Sequence, residues 1–128
     1  MKNLKQIVNG VVHTSLGWVK GSVVYADGKI VEVKNDNEVV EGAEVIDAEG
    51  GYVVPGGVEL HVHGGGGHDF TEGDEEDYRK AVHAHLIHGT TSIYPTLMST
   101  TAENIRRTAE ICTKLMAEEG SPILGLHL

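Results

Sequence analysis

The sequence predicts an α/β fold in which a small β unit precedes alternating strands and helices. Two observations support this prediction. Thirteen valines lie before Pro55, in short runs separated by turn-forming pairs, which is typical of β-strands joined by tight turns. After Pro55 the pattern changes to strand, helix, strand, helix and strand. We therefore expect a β unit over residues 1–54 and the first β/α units of a barrel over residues 55–128.

The turns of the β unit are marked by pairs that end in glycine: Asn9-Gly10, Asp27-Gly28, Glu41-Gly42 and Gly50-Gly51. Asp27-Gly28 is the clearest of them, since it separates candidate strands at 22–26 and 29–33. Both of its residues tolerate the positive φ of a two-residue hairpin turn. The unit is therefore predicted to be an antiparallel sheet.

The elements after Pro55 are predicted to follow one another directly. The strands are expected at 57–63, 90–94 and 123–128, and the first helix at 74–88, with Gly89 at its C-terminal end. Thr100 and Glu103 form a capping-box pattern before a second helix. Its apolar face is predicted to contain Ile105, Ala109, Cys112, Leu115 and Met116.

This alternation indicates a parallel sheet with right-handed crossovers. A closed (β/α)8 barrel takes about 250 residues, so residues 55–128 would supply only its first three strands. The fold would be incomplete by itself.

The composition is that of a soluble globular protein, with 40% hydrophobic and 23% charged residues. The formal net charge of −9 argues against binding to nucleic acid or to an anionic membrane, since both favour a basic surface. Cys112 is the sole cysteine, so no internal disulfide can form and a cytoplasmic location is expected. Neither a secretory signal nor a membrane-spanning apolar run is visible in the sequence.

The strongest chemical signal is His61-Val62-His63, at the end of the first predicted barrel strand. Because side chains alternate along a strand, Glu59, His61 and His63 share one face, and the two imidazoles lie about 7 Å apart along the strand. They can converge on one ion if the strand end curves. Neutral imidazole binds zinc, nickel, iron or copper, and barrel active sites form at C-terminal strand ends. Two solvent-facing histidines are the alternative, but the flanking glycines and the β/α pattern favour a metal.

Other residues keep two interpretations open. Residues 64–67 are four glycines, which either let the backbone approach a ligand closely or form a flexible surface loop. His68 reaches either a ligand or only solvent. His127, at the end of the third predicted strand, is either a lone strand histidine or a neighbour of the His61–His63 pair. The remaining histidines are interpreted as structural or partly exposed: His13, His83, His85 and His88.

Several segments resemble a known family. Segment 54–64 (VPGGVELHVHG) resembles the first barrel strand of the amidohydrolase superfamily, and segment 45–50 resembles the stretch that leads into it. Within that superfamily, the glycine run followed by Asp69-Phe70 is similar to N-acetylglucosamine-6-phosphate deacetylases. So are the segments HGTTS (88–92), PTL (95–97) and LGLHL (124–128).

This resemblance implies part of a β-sandwich beside a barrel. It also implies that the full-length enzyme hydrolyses the acetamide of N-acetylglucosamine 6-phosphate to glucosamine 6-phosphate and acetate. The implied cofactor is a divalent metal, zinc or else iron or another transition metal, with His61 and His63 as ligands of one metal position. No catalytic or substrate-binding residue is assigned in this segment. The expected partners are a small-molecule amino-sugar phosphate and either a second copy in a homodimer or the rest of the barrel.

The sequence departs from the family pattern at two points. Glu59 stands where the superfamily usually has aspartate, and the sequence ends at Leu128, one residue short of a family motif whose glutamate binds metal. We therefore expect this segment to be inactive until the remaining barrel is supplied. The alternatives are another metal-dependent amidohydrolase, acting on a cyclic amide or ureide, and a non-catalytic truncated fragment.

Overall fold

The computed structural model describes residues 3–128, which form two compact units, 3–55 and 56–128. The first unit contains β1 (Lys5–Thr14), β2 (Gly17–Ala26), β3 (Lys29–Lys34), β4 (Glu44–Asp47) and β5 (Tyr52–Val53). The second contains β6 (Gly57–Val62), β7 (Gly64–Gly65), β8 (His68–Asp69), α1 (Glu75–Leu86), β9 (Thr90–Pro95) and α2 (Ala102–Met116). In the described part of the chain, no helix combines the length and the apolar character needed to cross a membrane.

The first unit is one sheet with strand order β3-β2-β1-β4, in which β5 also pairs with β1. The hairpin at Asp27-Gly28 is confirmed, because both residues have positive φ, 49° and 76°. The prediction of a wholly antiparallel unit is wrong, since β4 and β5 run parallel to β1. The reason is the connection 35–43, which carries the chain from the β3 edge to the far side of β1.

Buried polar side chains attach this connection to the sheet. Gln6 is 0% exposed; its Nε2 donates to Ser22 Oγ and to the Glu38 carbonyl, both at 2.9 Å. Its Oε1 accepts from the Val40 amide at 2.8 Å. Both polar atoms of the Gln6 amide have hydrogen-bond partners, which compensate the cost of burying it. The amide therefore fixes the path of the connection.

The second unit is built on the parallel pair β6 and β9, with α1 between them in sequence and α2 following β9. Its core consists of side chains at most 8% exposed: Phe70, Tyr78, Ala81, Val82, Ile93, Leu97, Cys112, Leu115 and Ile123. The core position predicted for Cys112 is therefore confirmed. Met116, predicted on the same helix face, is 43% exposed, and the buried Thr108 lies on that face instead.

The third predicted strand, 123–128, is not continuous. It pairs with β9 through two isolated parallel bridges, Ile93 with Ile123 and Thr96 with His127. Pro95 lies between the bridged residues Ile93 and Thr96 and has no N–H to donate to the next rung. The ladder is interrupted there and resumes when the His127 amide donates to the Pro95 carbonyl at 2.9 Å.

The helix ends follow the sequence signals with one exception. Helix α1 begins after Asp74, whose side chain forms a capping box with Asp77, and Gly89 beyond its end has a φ of 95°. The capping box predicted at Thr100 and Glu103 is wrong, because Thr101 is the N-cap of α2. The Thr100 hydroxyl instead accepts a hydrogen bond from the Asn104 side chain, at 3.0 Å.

Candidate metal centre

The end of β6 brings the two histidines of the His-x-His sequence into direct proximity. His61 is exposed and His63 is half-buried, and their Nε2 atoms lie 3.3 Å apart. The ring planes are nearly perpendicular, at 82°. The side chains therefore converge although the residues are about 7 Å apart along a regular strand.

This separation is the one that a shared metal ion requires. Two imidazole nitrogens at about 2.0–2.1 Å from a tetrahedral zinc ion lie about 3.3 Å from each other. The same distance also permits an N–H···N hydrogen bond between two neutral rings, with one Nε2 protonated. The geometry of His61 and His63 thus fits two ligands of one ion. An ion that binds there would replace the hydrogen bond between the two neutral rings.

The other ring nitrogen of His63, Nδ1, has a hydrogen-bond partner that leaves Nε2 available to bind a metal. Its Nδ1 lies 3.1 Å from the carbonyl oxygen of Thr96, at the end of the neighbouring strand β9. A carbonyl can only accept, so Nδ1 carries the proton and Nε2 of the neutral ring keeps its lone pair. Hydrogen bonds of this kind orient metal-binding histidines in proteins generally.

His127 joins this group of rings. Its ring centre lies 4.7 Å from that of His61, at an interplanar angle of 81°, and its backbone pairs with Thr96. The sequence left two interpretations of His127 open, and the structure supports the one in which it neighbours the His61–His63 pair. Over residues 3–128, however, no three His, Cys, Asp or Glu side chains are arranged to hold one ion. The described site therefore offers two converging donors and an adjacent third imidazole.

Glu59 supports the strand beneath the histidines. Its Oε1 accepts a hydrogen bond from the backbone amide of His61, at 3.0 Å. The carboxylate is thus engaged with the backbone of its own strand.

The glycine run after His63 is a small hairpin packed on helix α1. Strands β7 and β8 pair, and Gly66 and Gly67 form the turn with φ of 58° and 85°. A Cβ atom on Gly65 would lie 2.7 Å from His85 Nε2 and 3.0 Å from the Ala81 carbonyl. The absence of side chains therefore allows the hairpin to contact the helix closely. The sequence had suggested either a loop that approaches a ligand or a flexible surface loop, and this role differs from both.

His68 is directed to helix α1. Its Nδ1 lies 2.7 Å from Asp77 Oδ1, and Asp77 also accepts from the Asp74 amide. These two hydrogen bonds, the backbone one first, hold the pKa of Asp77 below its usual range. His68 thus fastens the hairpin to the start of the helix.

The other histidines lie outside the candidate centre. His85 Nε2 contacts the Gly64 carbonyl at 3.0 Å, and His88 Nδ1 contacts the Ala84 carbonyl at 2.7 Å, while His83 is exposed. The interpretation of the helix histidines as partly exposed is confirmed. His13 stacks edge-on against Trp18 in the first unit, at 4.8 Å between ring centres.

Sequence reasoning missed Thr96. Its segment was noted only as part of a family resemblance, and no role followed from its residue type. The signal that could have found it is its position, since it follows directly on the end of the strand that neighbours β6. Polar side chains at carboxyl strand ends are the ones that reach a barrel active site.

Comparisons with known proteins place these features in a family context. No family model matches the chain. It is 27% identical over 124 residues to the N-acetylglucosamine-6-phosphate deacetylase of Haemophilus influenzae, covering 95% of this chain and 32% of that protein. It is 33% identical over 128 residues to the D-hydantoinase of Geobacillus stearothermophilus, covering 97% of this chain and 26% of that protein.

The solved structure of N-acetylglucosamine-6-phosphate deacetylase from Pasteurella multocida matches with a TM-score of 0.88 at 25% identity, covering 97% of this chain and 33% of that one. The chain is similar to N-acetylglucosamine-6-phosphate deacetylases along nearly its whole length. The resemblance inferred from the sequence is therefore confirmed. The chain spans about a third of the length of these deacetylases. The mixed α/β fold is confirmed by the same structure, whereas the closed barrel stays a prediction.

Proposed function

We propose that this chain carries one side of the metal centre of an amide-hydrolysing enzyme, with His61 and His63 as ligands of the same ion. The observation that supports the proposal best is the 3.3 Å separation of their Nε2 atoms. The hydrogen bond between His63 Nδ1 and the Thr96 carbonyl leaves the other nitrogen free to bind. Zinc suits two imidazoles best, and iron or another divalent transition metal is the alternative.

The proposed reaction is hydrolysis of the acetamide of N-acetylglucosamine 6-phosphate, giving glucosamine 6-phosphate and acetate. A divalent metal at this position would polarise the amide carbonyl and lower the pKa of a water molecule. The chain's own contribution is to hold that position: His61 and His63 supply nitrogen donors, and Glu59 fixes the strand below them. Since the chain spans about a third of its deacetylase relatives, the general base and the phosphate-binding residues belong to the proposal for the whole protein.

A second reaction, hydrolysis of a cyclic amide or ureide, is supported by the 33% identity to D-hydantoinase. The deacetylase is favoured by the TM-score of 0.88 to a solved deacetylase structure, over 97% of the chain. Substrate profiling of a full-length protein that contains this chain separates the two. Release of acetate from N-acetylglucosamine 6-phosphate, without opening of hydantoin or dihydrouracil, supports the deacetylase, and the reverse profile overturns it. The 128-residue chain alone is expected to show no turnover.

Metal binding itself is tested on the 128-residue chain by calorimetric titration with zinc. We expect one binding event in the native chain, which is lost in His61→Ala and in His63→Ala. His83→Ala is the matched control, because it removes an exposed histidine of α1 and should leave the titration unchanged. If both site variants bind zinc as tightly as the native chain, these residues are not the ligands.

The proposal includes an assembly partner, the rest of the barrel or a second copy of the chain. Among the described residues β6 pairs only with β9, so its other edge is open. Val58 and Leu60 on this strand are 60% and 62% exposed. An open strand edge beside exposed apolar side chains favours association. Sedimentation of the isolated chain as a monomer at high concentration would contradict self-association.

A further inference from the structure

Thr96 is the buried polar residue on which the rings of the candidate centre depend most directly. It is 2% exposed, and its Oγ1 accepts from the Val62 amide at 3.0 Å and donates to the Tyr94 carbonyl at 3.1 Å. The same Oγ1 lies 3.4 Å from His127 Nδ1, a long hydrogen bond. Its carbonyl oxygen lies 3.1 Å from His63 Nδ1. One residue thus contacts two of the three clustered imidazoles.

The positions of the protons follow from counting donors. A hydroxyl has one proton, and that of Thr96 is donated to the Tyr94 carbonyl, so toward His127 it can only accept. The Thr96 carbonyl can also only accept, here from His63. With the hydroxyl proton directed to the Tyr94 carbonyl, both rings carry their proton on Nδ1 when they are neutral. In each neutral ring, Nε2 is then the nitrogen that keeps a lone pair.

We propose that Thr96 is a positioning residue that fixes His63 and His127 in the same tautomer, and that His127 thereby presents an imidazole with a free Nε2 beside the metal centre. The inference rests on the proposed function only where it refers to a metal centre. The tautomers themselves follow from Thr96 whether or not a metal binds.

The arrangement also bears on the competing bond between neutral rings. With Nε2 of His63 unprotonated, a hydrogen bond to His61 requires the proton to lie on His61 Nε2. The Thr96 contact therefore assigns the donor of that bond and leaves His63 as the acceptor. To be bound by both rings, an ion requires His61 to change tautomer, with its proton on Nδ1 instead of Nε2.

The test is nitrogen-15 NMR of the imidazoles in the metal-free 128-residue chain, at about pH 8.5, where free imidazole is neutral. Resonances are assigned by comparison with His63→Gln and His127→Gln. We expect both rings to show a protonated Nδ1 in the native chain and in Thr96→Ser. In Thr96→Val, His63 should keep this signature, because the carbonyl remains, while His127 should shift toward a mixture of tautomers.

Two results would overturn the inference: a protonated Nε2 on His127 in the native chain, or an unchanged His127 signature in Thr96→Val. If Thr96→Val does not fold, the native chain still decides whether His127 carries its proton on Nδ1, and a protonated Nε2 there overturns the inference. Thr90→Val, on the same strand but at its other end, is the matched control and should leave both signatures unchanged.

Zinc titration of the same variants gives a second readout. In Thr96→Val the carbonyl that orients His63 remains, so we expect the variant to bind zinc as tightly as the native chain. A fall of about 10- to 100-fold, the size typical when a hydrogen bond that orients a ligand is lost, would make His127 a ligand and overturn its place beside the centre. A native chain that shows the expected tautomers but binds no zinc would contradict the proposed function and leave the positioning role in place.

Discussion

Replacing Tyr78 with phenylalanine tests how the hairpin that follows β6 is held. The Tyr78 side chain is 0% exposed, and its hydroxyl donates to the Phe70 carbonyl at 2.6 Å. The substitution keeps the ring and its packing but leaves that carbonyl buried without this donor. Loss of a net hydrogen bond costs about 0.5–1.5 kcal/mol, and a buried polar group left unsatisfied costs about 1–3 kcal/mol. We therefore expect a loss of about 2 kcal/mol in the free energy of unfolding.

The assay is urea unfolding followed by circular dichroism. With a slope of about 2 kcal/mol per molar urea for a small protein, the midpoint should fall by about 1 M. Tyr94→Phe is the control, because this tyrosine of β9 is only partly buried and its loss should change stability by less than about 0.5 kcal/mol. If Tyr78→Phe is as stable as the control, the hydroxyl does not connect the helix to the hairpin as described.

Two further predictions concern titratable groups. The pKa of Asp77 lies below its usual value, so its carboxylate stabilises the folded chain above about pH 4, the value typical of the unfolded state, and the contribution is lost as pH falls through the lower folded pKa. The free energy of unfolding should therefore depend less on pH, between about pH 5 and 2, in Asp77→Asn than in the native chain. The control Glu76→Gln, which changes an exposed side chain, should show the pH dependence of the native chain. Burial raises the pKa of Cys112 to about 11. A disulfide reagent at about pH 8 should consequently label this thiol slowly in the folded chain and rapidly in urea; fast labelling of the folded chain would contradict its burial.

Most strands and helices could be predicted because their signals are local. The Asp27-Gly28 turn and the end of α1 before Gly89 depend on conformations that few residues adopt, and both occur as expected. The cap of α2 was misplaced by one residue because Thr100 and Thr101 are adjacent and either hydroxyl can cap a helix. The choice depends on Asn104, whose side chain also donates to the carbonyl of Thr71, a contact distant in sequence.

The candidate centre could be predicted only in part for the same reason. That His61 and His63 share a face follows from strand periodicity alone. The role of Thr96 depends on the register between β6 and β9, in which Val62 pairs with Pro95. Such a register is a pairing between segments distant in sequence, which local sequence patterns do not specify. The sequence could therefore name the candidate donors, but not Thr96, which contacts the rings of His63 and His127.

The end of β6 is held from two sides that should respond differently to substitution. On one side, the hairpin packs on α1 so closely that a Cβ on Gly65 would approach the Ala81 carbonyl to 3.0 Å. On the other side, Thr96 binds the Val62 amide and the His63 ring. Tyr78→Phe loosens the first side only, and it should lower stability without altering the tautomer of His63. Thr96→Val should alter the ring of His127 while the hairpin keeps its contacts with α1. Stability and the orientation of the imidazoles are then separable properties of this strand end, which is expected if the contact of the hairpin with α1 holds the strand and Thr96 orients the rings.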